Sequence, residues 1–207
     1  MANMNIRKPR FYIDRINYLL TRGISNSQFF INSSSGQISS IVSGSVAELF
    51  DMRPLNQVTF NTSSSRQDHV VLTIDQNFGS YKTNFIAILN HNMNTANAKV
   101  RVSQSSSESN VQSSNFASGT RLENLSEIMG VADSGIDNTD TNFNIIAPNA
   151  DGHMILKFDE FASSFIGIQF EGTTNVGDNG SGDYFDPSNN LSIGCILVGE
   201  YYDMPVS

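Results

Sequence analysis

Residues 83–103, TNFIAILNHNMNTANAKVRVS, decide the predicted fold. An apolar run at 85–89 stops at the polar residues Asn90, His91 and Asn92, which we call the polar knot. Five consecutive apolar residues bounded by turn formers predict a strand that is buried on both faces. Apolar residues then alternate at Ala98, Val100 and Val102, which predicts a second strand with one solvated face. The stretch therefore predicts two strands of a β-sandwich.

Other segments carry the same signature, a short run of β-branched and aromatic residues between turn formers. They are residues 29–31, 58–60, 69–75, 154–158, 164–170 and 191–201. The segments at 154–158 and 164–170 follow each other closely and are predicted to form an antiparallel pair. Residues 104–120 are low in sequence complexity and predict a long solvated loop, whereas residues 122–129 predict one or two helical turns.

Length and composition predict the fold class of the chain. The chain has 207 residues, of which 39% are hydrophobic and only 15% are charged. This hydrophobic content is sufficient for one buried core. Ser and Asn supply about a quarter of the residues, and both favour turns and loops over helices. We therefore predict an all-β fold, an antiparallel β-sandwich of jelly-roll type.

The first 24 residues differ from the rest because they are basic and aromatic. Their aliphatic residues recur at helical spacing, at Ile13, Ile16, Leu19 and Leu20. Asp14 would place an acidic group in the first turn of such a helix, and Gly23 would end it. We predict that residues 1–24 form an arm or short helix whose apolar face is covered by this chain or another. Residues 25–207 are predicted to form the sandwich domain.

The charge of the chain limits its partners. Its net charge is −8, and duplex nucleic acid is bound by clustered Lys and Arg, so we predict no nucleic-acid partner. Five of the twelve basic residues lie near the N-terminus: Arg7, Lys8, Arg10, Arg15 and Arg22. This cluster could contact nucleic acid, but an acidic protein neighbour is the commoner explanation. No segment approaches the roughly 18 apolar residues of a membrane span, and the start lacks the apolar core of a signal peptide. We expect no membrane partner and synthesis in a reducing cytoplasm.

The polar knot has a functional and a structural interpretation. His91 could act as a base or a metal ligand, since neutral imidazole does both. The other histidines, His69 and His153, show no spacing that indicates a shared metal site. The structural interpretation is that the knot closes the strand end by bonding to loop backbone, because an unpaired buried polar group costs about 1–3 kcal/mol. We favour the structural role.

Two acidic loops are candidate ligands for Ca²⁺, which prefers oxygen donors. Their carboxylates are Asp133, Asp137 and Asp140 in one loop and Asp178, Asp183 and Asp186 in the other. The sequence has no twelve-residue EF-hand pattern, and solvated loops are the favoured interpretation. We therefore predict no cofactor and no metal site, with a structural Ca²⁺ ion as the open alternative.

The sequence offers no recognisable catalytic motif. It has no Gly-x-Ser-x-Gly elbow and no glycine-rich phosphate loop, so we predict that the protein is not an enzyme. The single cysteine, Cys195, lies in an apolar run and is predicted to be a small buried side chain. Tyr201 and Tyr202 follow the last predicted strand. They would either complete the core or stay exposed for a sugar or a protein partner.

In the order of its strand phrases, the sequence resembles the galactose-binding-like, or discoidin-type, β-sandwich, and more narrowly the version found in virion structural proteins of tailed bacteriophages. The phrases that carry the resemblance are ELFD at 48–51, VTF at 58–60, HVVLTID at 69–75, FIAILNHNM at 85–93, AKVRV at 98–102, SFIGIQF at 164–170 and SIGCILVGEYYDMP at 192–205. The opening phrase around residues 10–14 is similar to that of such proteins as well. The resemblance spans most of residues 46–205.

The resemblance implies a non-enzymatic structural protein of the tail, neck or capsid surface, made in the host cytoplasm and located in the virion. Its partners would be other virion proteins and further copies of itself in a symmetric homo-oligomer. The candidate partner-binding residues are Arg7, Lys8, Arg10, Phe11, Tyr12, Tyr201 and Tyr202. The alternative function is a carbohydrate-binding module that attaches to host-surface glycans.

Overall fold

A computed structural model describes residues 9–22, 29–31, 40–62, 69–76, 82–112, 116, 118–175 and 183–204. The strands are β1 (Arg10–Asp14), β2 (Phe29–Ile31), β3 (Ile41–Ser43), β4 (Val58–Phe60), β5 (Val70–Asp75), β6 (Thr83–His91), β7 (Ala98–Ser105), β8 (Ser126–Met129), β9 (Ile136–Asp137), β10 (Asn144–Ile146), β11 (Gly152–Phe161), β12 (Phe165–Gly172), β13 (Thr174–Asn175), β14 (Asp183–Tyr184), β15 (Ser192–Ile193) and β16 (Cys195–Asp203). The described residues also form the α-helices α1 (Arg15–Thr21) and α2 (Ser109–Gln112), and 3₁₀ turns span Val46–Phe50 and Asp133–Gly135.

Two antiparallel sheets form the layers of the fold. Sheet A has the strand order β1-β16-β6-β11-β8, and sheet B has the order β2-β5-β12-β7-β10-β9. A small sheet of β15, β4 and β3 lies beside them, and β13 pairs with β14. Apart from β9 and β10, the neighbouring strands of both large sheets are not consecutive in sequence, as expected of a jelly roll. The predicted antiparallel β-sandwich is therefore confirmed.

The core lies between the two sheets. Every second residue of the central strands points inward, as the period of a strand requires. Sheet A contributes Ile86, Ile88, Leu156, Ile196 and Val198, and sheet B contributes Leu72, Ile74, Val100, Val102, Ile166, Ile168 and Phe170. The 3₁₀ turn at Val46–Phe50 adds Leu49 and Phe50, both fully buried.

The stretch that predicted the fold forms β6 and β7. Residues 85–88 are all at most 3% exposed, which confirms a strand buried on both faces. Ile86 and Ile88 face the main core, whereas Phe85 and Ala87 pack on the outer face of sheet A with Leu197. β6 continues through Asn90 and His91, so the polar knot forms the end of the strand.

The N-terminal segment packs against this chain's own sandwich. Residues 15–21 form the predicted short helix, and Asp14 is its N-cap, accepting a hydrogen bond from the Ile16 amide at 3.1 Å. The sequence did not predict that residues 10–14 form an edge strand of sheet A paired with β16. Ile16 and Leu19 are buried, so this chain itself covers the apolar face of the helix. The helix ends at Thr21, and Gly23 lies outside the described residues.

Three local predictions are wrong. The segments at 154–158 and 164–170 do not pair with each other, because β11 belongs to sheet A and β12 to sheet B. The solvated loop predicted for residues 104–120 is wrong for the part that the structure describes, since β7 extends to Ser105, and Val111 and Phe116 are buried on the outer face of sheet B. Residues 122–129 are not helical, because 126–129 form strand β8 along β11. In each case tertiary pairing overrides the local pattern.

Candidate binding surfaces

The chain ends meet at one edge of sheet A, and most of the predicted partner-binding residues lie there. β1 pairs with β16 from Arg10 opposite Asp203 to Asp14 opposite Gly199. This register brings Arg10, Phe11 and Tyr12 beside Tyr201 and Tyr202. Tyr201 and Tyr202 lie within β16 rather than after it, and Arg7 and Lys8 lie outside the described residues.

One face of this edge packs on the outside of sheet A. The Tyr12 ring meets Phe85 edge-on with 5.1 Å between ring centroids, and Tyr201 lies 6.2 Å from Tyr12. The Arg10 guanidinium stands 5.3 Å from the centroid of the Tyr201 ring and donates to Asp203 at 2.6 Å. That hydrogen bond raises the pKa of Arg10 above its usual value. These contacts attach β1 to the sheet.

The opposite face of the same edge is exposed and apolar. Phe11 lies directly opposite Tyr202, and the exposed fractions of these two residues are 60% and 52%. Ile13 and Met204, each two residues further along, are 42% and 40% exposed. We call Phe11, Ile13, Tyr202 and Met204 the terminal surface. Apolar groups this exposed on paired strands are typical of a contact surface.

The buried carboxylate of Glu200 fixes the position of one residue of the terminal surface, Tyr202. Glu200 is 5% exposed, and its Oε2 atom lies 2.5 Å from an Arg15 nitrogen. The same oxygen accepts a hydrogen bond from the Tyr202 hydroxyl at 2.7 Å. This hydrogen bond raises the pKa of Tyr202 above its usual value. Tyr202 is therefore held in one orientation although half of it is exposed.

The polar knot ties the end of β6 to two loops. The Asn90 side chain donates to the Pro54 carbonyl at 2.8 Å, and its backbone φ of 53° lies in the left-handed region that Asn tolerates. The Asn92 side chain donates to the Asn190 carbonyl at 2.8 Å and accepts from the Ser192 amide at 2.7 Å. The contacts of Asn90 and Asn92 are the kind that the structural interpretation predicts.

His91 is buried at this strand end with only 3% of its surface exposed. Burial lowers its pKa to about 4, so the imidazole is neutral at physiological pH. Nδ1 accepts a long hydrogen bond from the Met93 amide at 3.4 Å. His153 accepts from the Asn90 amide at 2.8 Å, which commits its Nδ1 atom to the backbone. Across the described part of the chain, no group of three His, Cys, Asp or Glu residues is placed to hold a metal ion.

The carboxylates of the acidic loops that the structure describes bond within their own turns. Asp137 accepts from the Thr139 amide, Asp140 from the Asn142 amide and Asp186 from the Ser188 amide, at 2.7–2.8 Å. Asp178 and the side chains of Asp133 and Asp183 lie outside the described residues. A structural Ca²⁺ ion stays an untested alternative. Cys195 is fully buried, and burial raises the pKa of its thiol to about 11, which leaves it unreactive.

The sequence did not predict a charged cluster on the outer face of sheet B. Glu171 is 3% exposed, and its carboxylate lies 2.8 Å from Arg101 Nε and 3.2 Å from Lys99 Nζ. Gln169, which is fully buried, donates to the same carboxylate at 3.0 Å. His69 lies 3.9 Å from it. Alternation along β7 and β12 places these residues outward, but only the pairing of the two strands brings them together.

Arg101 also contacts an aromatic ring, since its guanidinium stands 4.6 Å from the centroid of Phe143. Among the described side chains of the cluster, Lys99 and Arg101 are partly exposed at 17% and 23%. The cluster thus presents two cationic donors whose positions are fixed from below by a buried carboxylate. Such fixed donors bind hydroxyl or acidic groups of a ligand.

The similarity of this chain to known proteins is low. No family model and no curated protein matches the sequence. One similar solved structure is chitosan-binding module 1 of a chitosanase/glucanase from Paenibacillus sp. IK-5, with 11% identity over 82% of this chain and 97% of that chain and a TM-score of 0.44. Another is a selenomethionine-labelled mutant of that module, with 12% identity over 81% and 95% and a TM-score of 0.41.

The described helices contain no apolar stretch long enough to cross a membrane.

Proposed function

We propose that this protein is a non-catalytic binding module that acts through protein–protein contacts at its terminal surface. The observation that carries the proposal is the exposed pair of Phe11 and Tyr202 on adjacent strands, flanked by Ile13 and Met204. Aromatic residues and Met are enriched in protein interfaces, and large exposed apolar groups that adjoin one another mark such sites. Because Tyr202 is held in place by Glu200, this part of the surface pays little ordering entropy on binding.

The resemblance to tailed-phage structural proteins supports a location in the virion. In the virion, its partners are other virion proteins, and it is a component of the tail, neck or capsid surface. The role is geometric, because a rigid sandwich holds its contact surface at a fixed angle to the rest of the fold. Strand β1 pairs with β16 and helix α1 packs on the same sandwich, which supports a rigid surface and not a free arm.

Incorporation into particles tests this proposal. Deleting residues 1–24 would remove an edge strand of sheet A, so point variants at the surface are the sharper tool. The double variant Phe11→Ser with Tyr202→Ser should keep the native circular dichroism spectrum but be missing from particles purified from the producing cells. The control is Leu55→Ser, since Leu55 is 90% exposed elsewhere. Normal incorporation of the double variant, or absence of the unaltered protein from particles, would contradict the proposal.

Carbohydrate binding is the second candidate function, and the charged cluster favours it. Sugar hydroxyls both donate and accept hydrogen bonds, and the cluster offers fixed donors at Lys99 and Arg101 beside the Phe143 ring. The site would lie on the outer face of sheet B, away from the terminal surface.

A glycan array separates the two candidates. Carbohydrate binding predicts a signal that free sugar competes away, that Arg101→Gln abolishes and that Phe11→Ser leaves unchanged. An array without a competed signal removes this candidate and leaves the first proposal standing.

A further inference from the structure

Strand β1 lies at the edge of sheet A. Among the strands that the structure describes, its one neighbour is β16. Native proteins protect edge strands with charges, prolines or bulges, because an exposed edge pairs readily with another chain. Within β1 the register with β16 runs without interruption from Arg10 to Asp14. The strand is therefore regular enough to accept a second partner.

The direction of the backbone groups of β1 follows from two contacts. The Pro9 carbonyl accepts from the Met204 amide at 2.8 Å, so it points toward β16. The Ile13 carbonyl also points toward β16, since it lies 2.0 Å from the Cβ atom that a side chain at Gly199 would have. Backbone groups alternate in direction along a strand. Those of Arg10 and Tyr12, and the amide of Asp14, therefore face away from β16.

The residues of β1 are self-complementary. The strand reads RFYID, with a cation at one end, an acid at the other and apolar side chains between them. When two copies lie antiparallel about Tyr12, Phe11 of each faces Ile13 of the other, and apolar pairs directly across a ladder are stabilising. Arg10 comes opposite Asp14 without a like-charge clash, although Arg10 is already paired with Asp203 and Asp14 caps α1. Like charges directly opposite each other are destabilising. A parallel pairing in register would instead place Arg10 against Arg10.

We infer that β1 pairs antiparallel with β1 of a second copy of this chain, with Tyr12 at the two-fold axis. The inference rests on the proposed function, and it names a second copy as one of the protein partners. Tyr12 would exchange both of its backbone hydrogen bonds with its counterpart, since its amide and carbonyl face outward. The contact is isologous, so it closes as a dimer and joins two sheets into one.

Cross-linking tests the register. Phe11 and Ile13 of opposite copies would form a non-hydrogen-bonded pair, with Cα atoms about 4.5 Å apart, which is within the range of a disulfide. Mixing Phe11→Cys protein with Ile13→Cys protein under mild oxidation should therefore give a cross-linked dimer. Phe11→Cys alone should give much less, because two copies of residue 11 are not directly opposed. Native Cys195 is buried and does not compete.

Light scattering after size exclusion tests the association itself. The unaltered chain of 22.7 kDa should elute with twice that mass, Ile13→Lys should elute as a monomer, and Leu55→Lys should stay dimeric. A monomer at every concentration, or stronger cross-linking of Phe11→Cys alone than of the mixture, overturns the inference. Either result leaves the particle-incorporation test of the proposed function unaffected, so the two proposals fail separately.

Discussion

Phe11 and Tyr202 lie directly opposite each other on β1 and β16, with their rings exposed to solvent. One residue away on the same two strands, Tyr12 and Tyr201 face each other on the other side of the sheet and pack toward Phe85. A single ladder therefore has one face that attaches the N-terminal strand and one face that is available for a partner. Stability and binding should respond to different residues of this ladder.

Adjacent substitutions separate the two faces. Phe11→Ser should change the free energy of unfolding by no more than about 0.5 kcal/mol, because it alters an exposed side chain. Tyr12→Ser should cost about 1–3 kcal/mol, because it removes a packed aromatic ring and its contact with Phe85. Urea unfolding of both variants measures the difference. Equal costs for the two substitutions would show that the faces are not distinct.

Ile88 is a core residue at the centre of sheet A, in strand β6. It is 1% exposed and pairs with Met154 on one side and Ile196 on the other. Ile88→Asp should unfold the protein, because an uncompensated buried charge costs more than a net stability of about 5–15 kcal/mol allows. Circular dichroism measures this, with exposed Leu55→Asp as the folded control. A soluble Ile88→Asp protein with the native spectrum would contradict the assignment of β6.

The structural role of the polar knot is tested at Asn92. Asn92→Ala removes two hydrogen bonds between the end of β6 and residues 190–192, and should lower stability by about 1–3 kcal/mol. Asn189→Ala removes an exposed side-chain hydrogen bond to Asp186 and should change stability by less than about 0.5 kcal/mol. Thermal unfolding compares the two variants. An unchanged melting temperature for Asn92→Ala together with loss of binding would favour a functional knot.

Asp14 should make the protein more stable in mild acid. Burial raises its pKa to about 6 from a usual value of 3.8, so the folded state binds a proton more tightly than the unfolded state. Its contribution is most favourable below about pH 4 and is lost as pH rises to 6, with a total of about 2–3 kcal/mol. Asp14→Asn keeps an N-cap side chain and removes the titration. It should raise stability at pH 7 and leave it nearly unchanged at pH 4. A variant with lower stability at pH 7 would contradict the assignment.

His91 should act in the opposite direction over an overlapping range. Burial lowers its pKa to about 4 from 6.5, so the unfolded state binds the proton more tightly. Its contribution is complete above about pH 6.5 and is lost as pH falls to 4, by up to about 3 kcal/mol. Histidine NMR titration checks the pKa of His91 directly. A His91 signal that titrates near 6.5 would show that the ring is not buried in its neutral form.

The opposite signs at Asp14 and His91 have a consequence for the unaltered protein. Between about pH 4 and 6 the two groups offset each other, so a flat stability profile there does not show that neither group titrates. Asp14→Asn should expose the acid-sensitive slope of His91. Unfolding midpoints in urea, measured at several pH values for both proteins, show whether the slope appears.

The sequence alone determined those strands that show a run or an alternation of apolar residues. The apolar run at 85–89 and the alternation at Val100 and Val102 report local chain geometry, because side chains alternate along a strand whatever it pairs with. Helix α1 was predictable for the same reason, since its apolar spacing is local, although Asp14 is the N-cap of the helix and does not lie in its first turn as predicted. The fold class of the chain and its lack of a recognisable catalytic motif could both be seen from such local signals.

Pairing partners were decided by the tertiary structure alone. The sequence placed 154–158 beside 164–170, yet these strands lie in different sheets, because adjacency in sequence does not fix adjacency in a jelly roll. The charged cluster around Glu171 and the facing of Phe11 with Tyr202 join residues from distant parts of the chain. Their contacts depend on strand order and register, which are set by how two sheets bury one common core, a property that no local stretch of sequence contains.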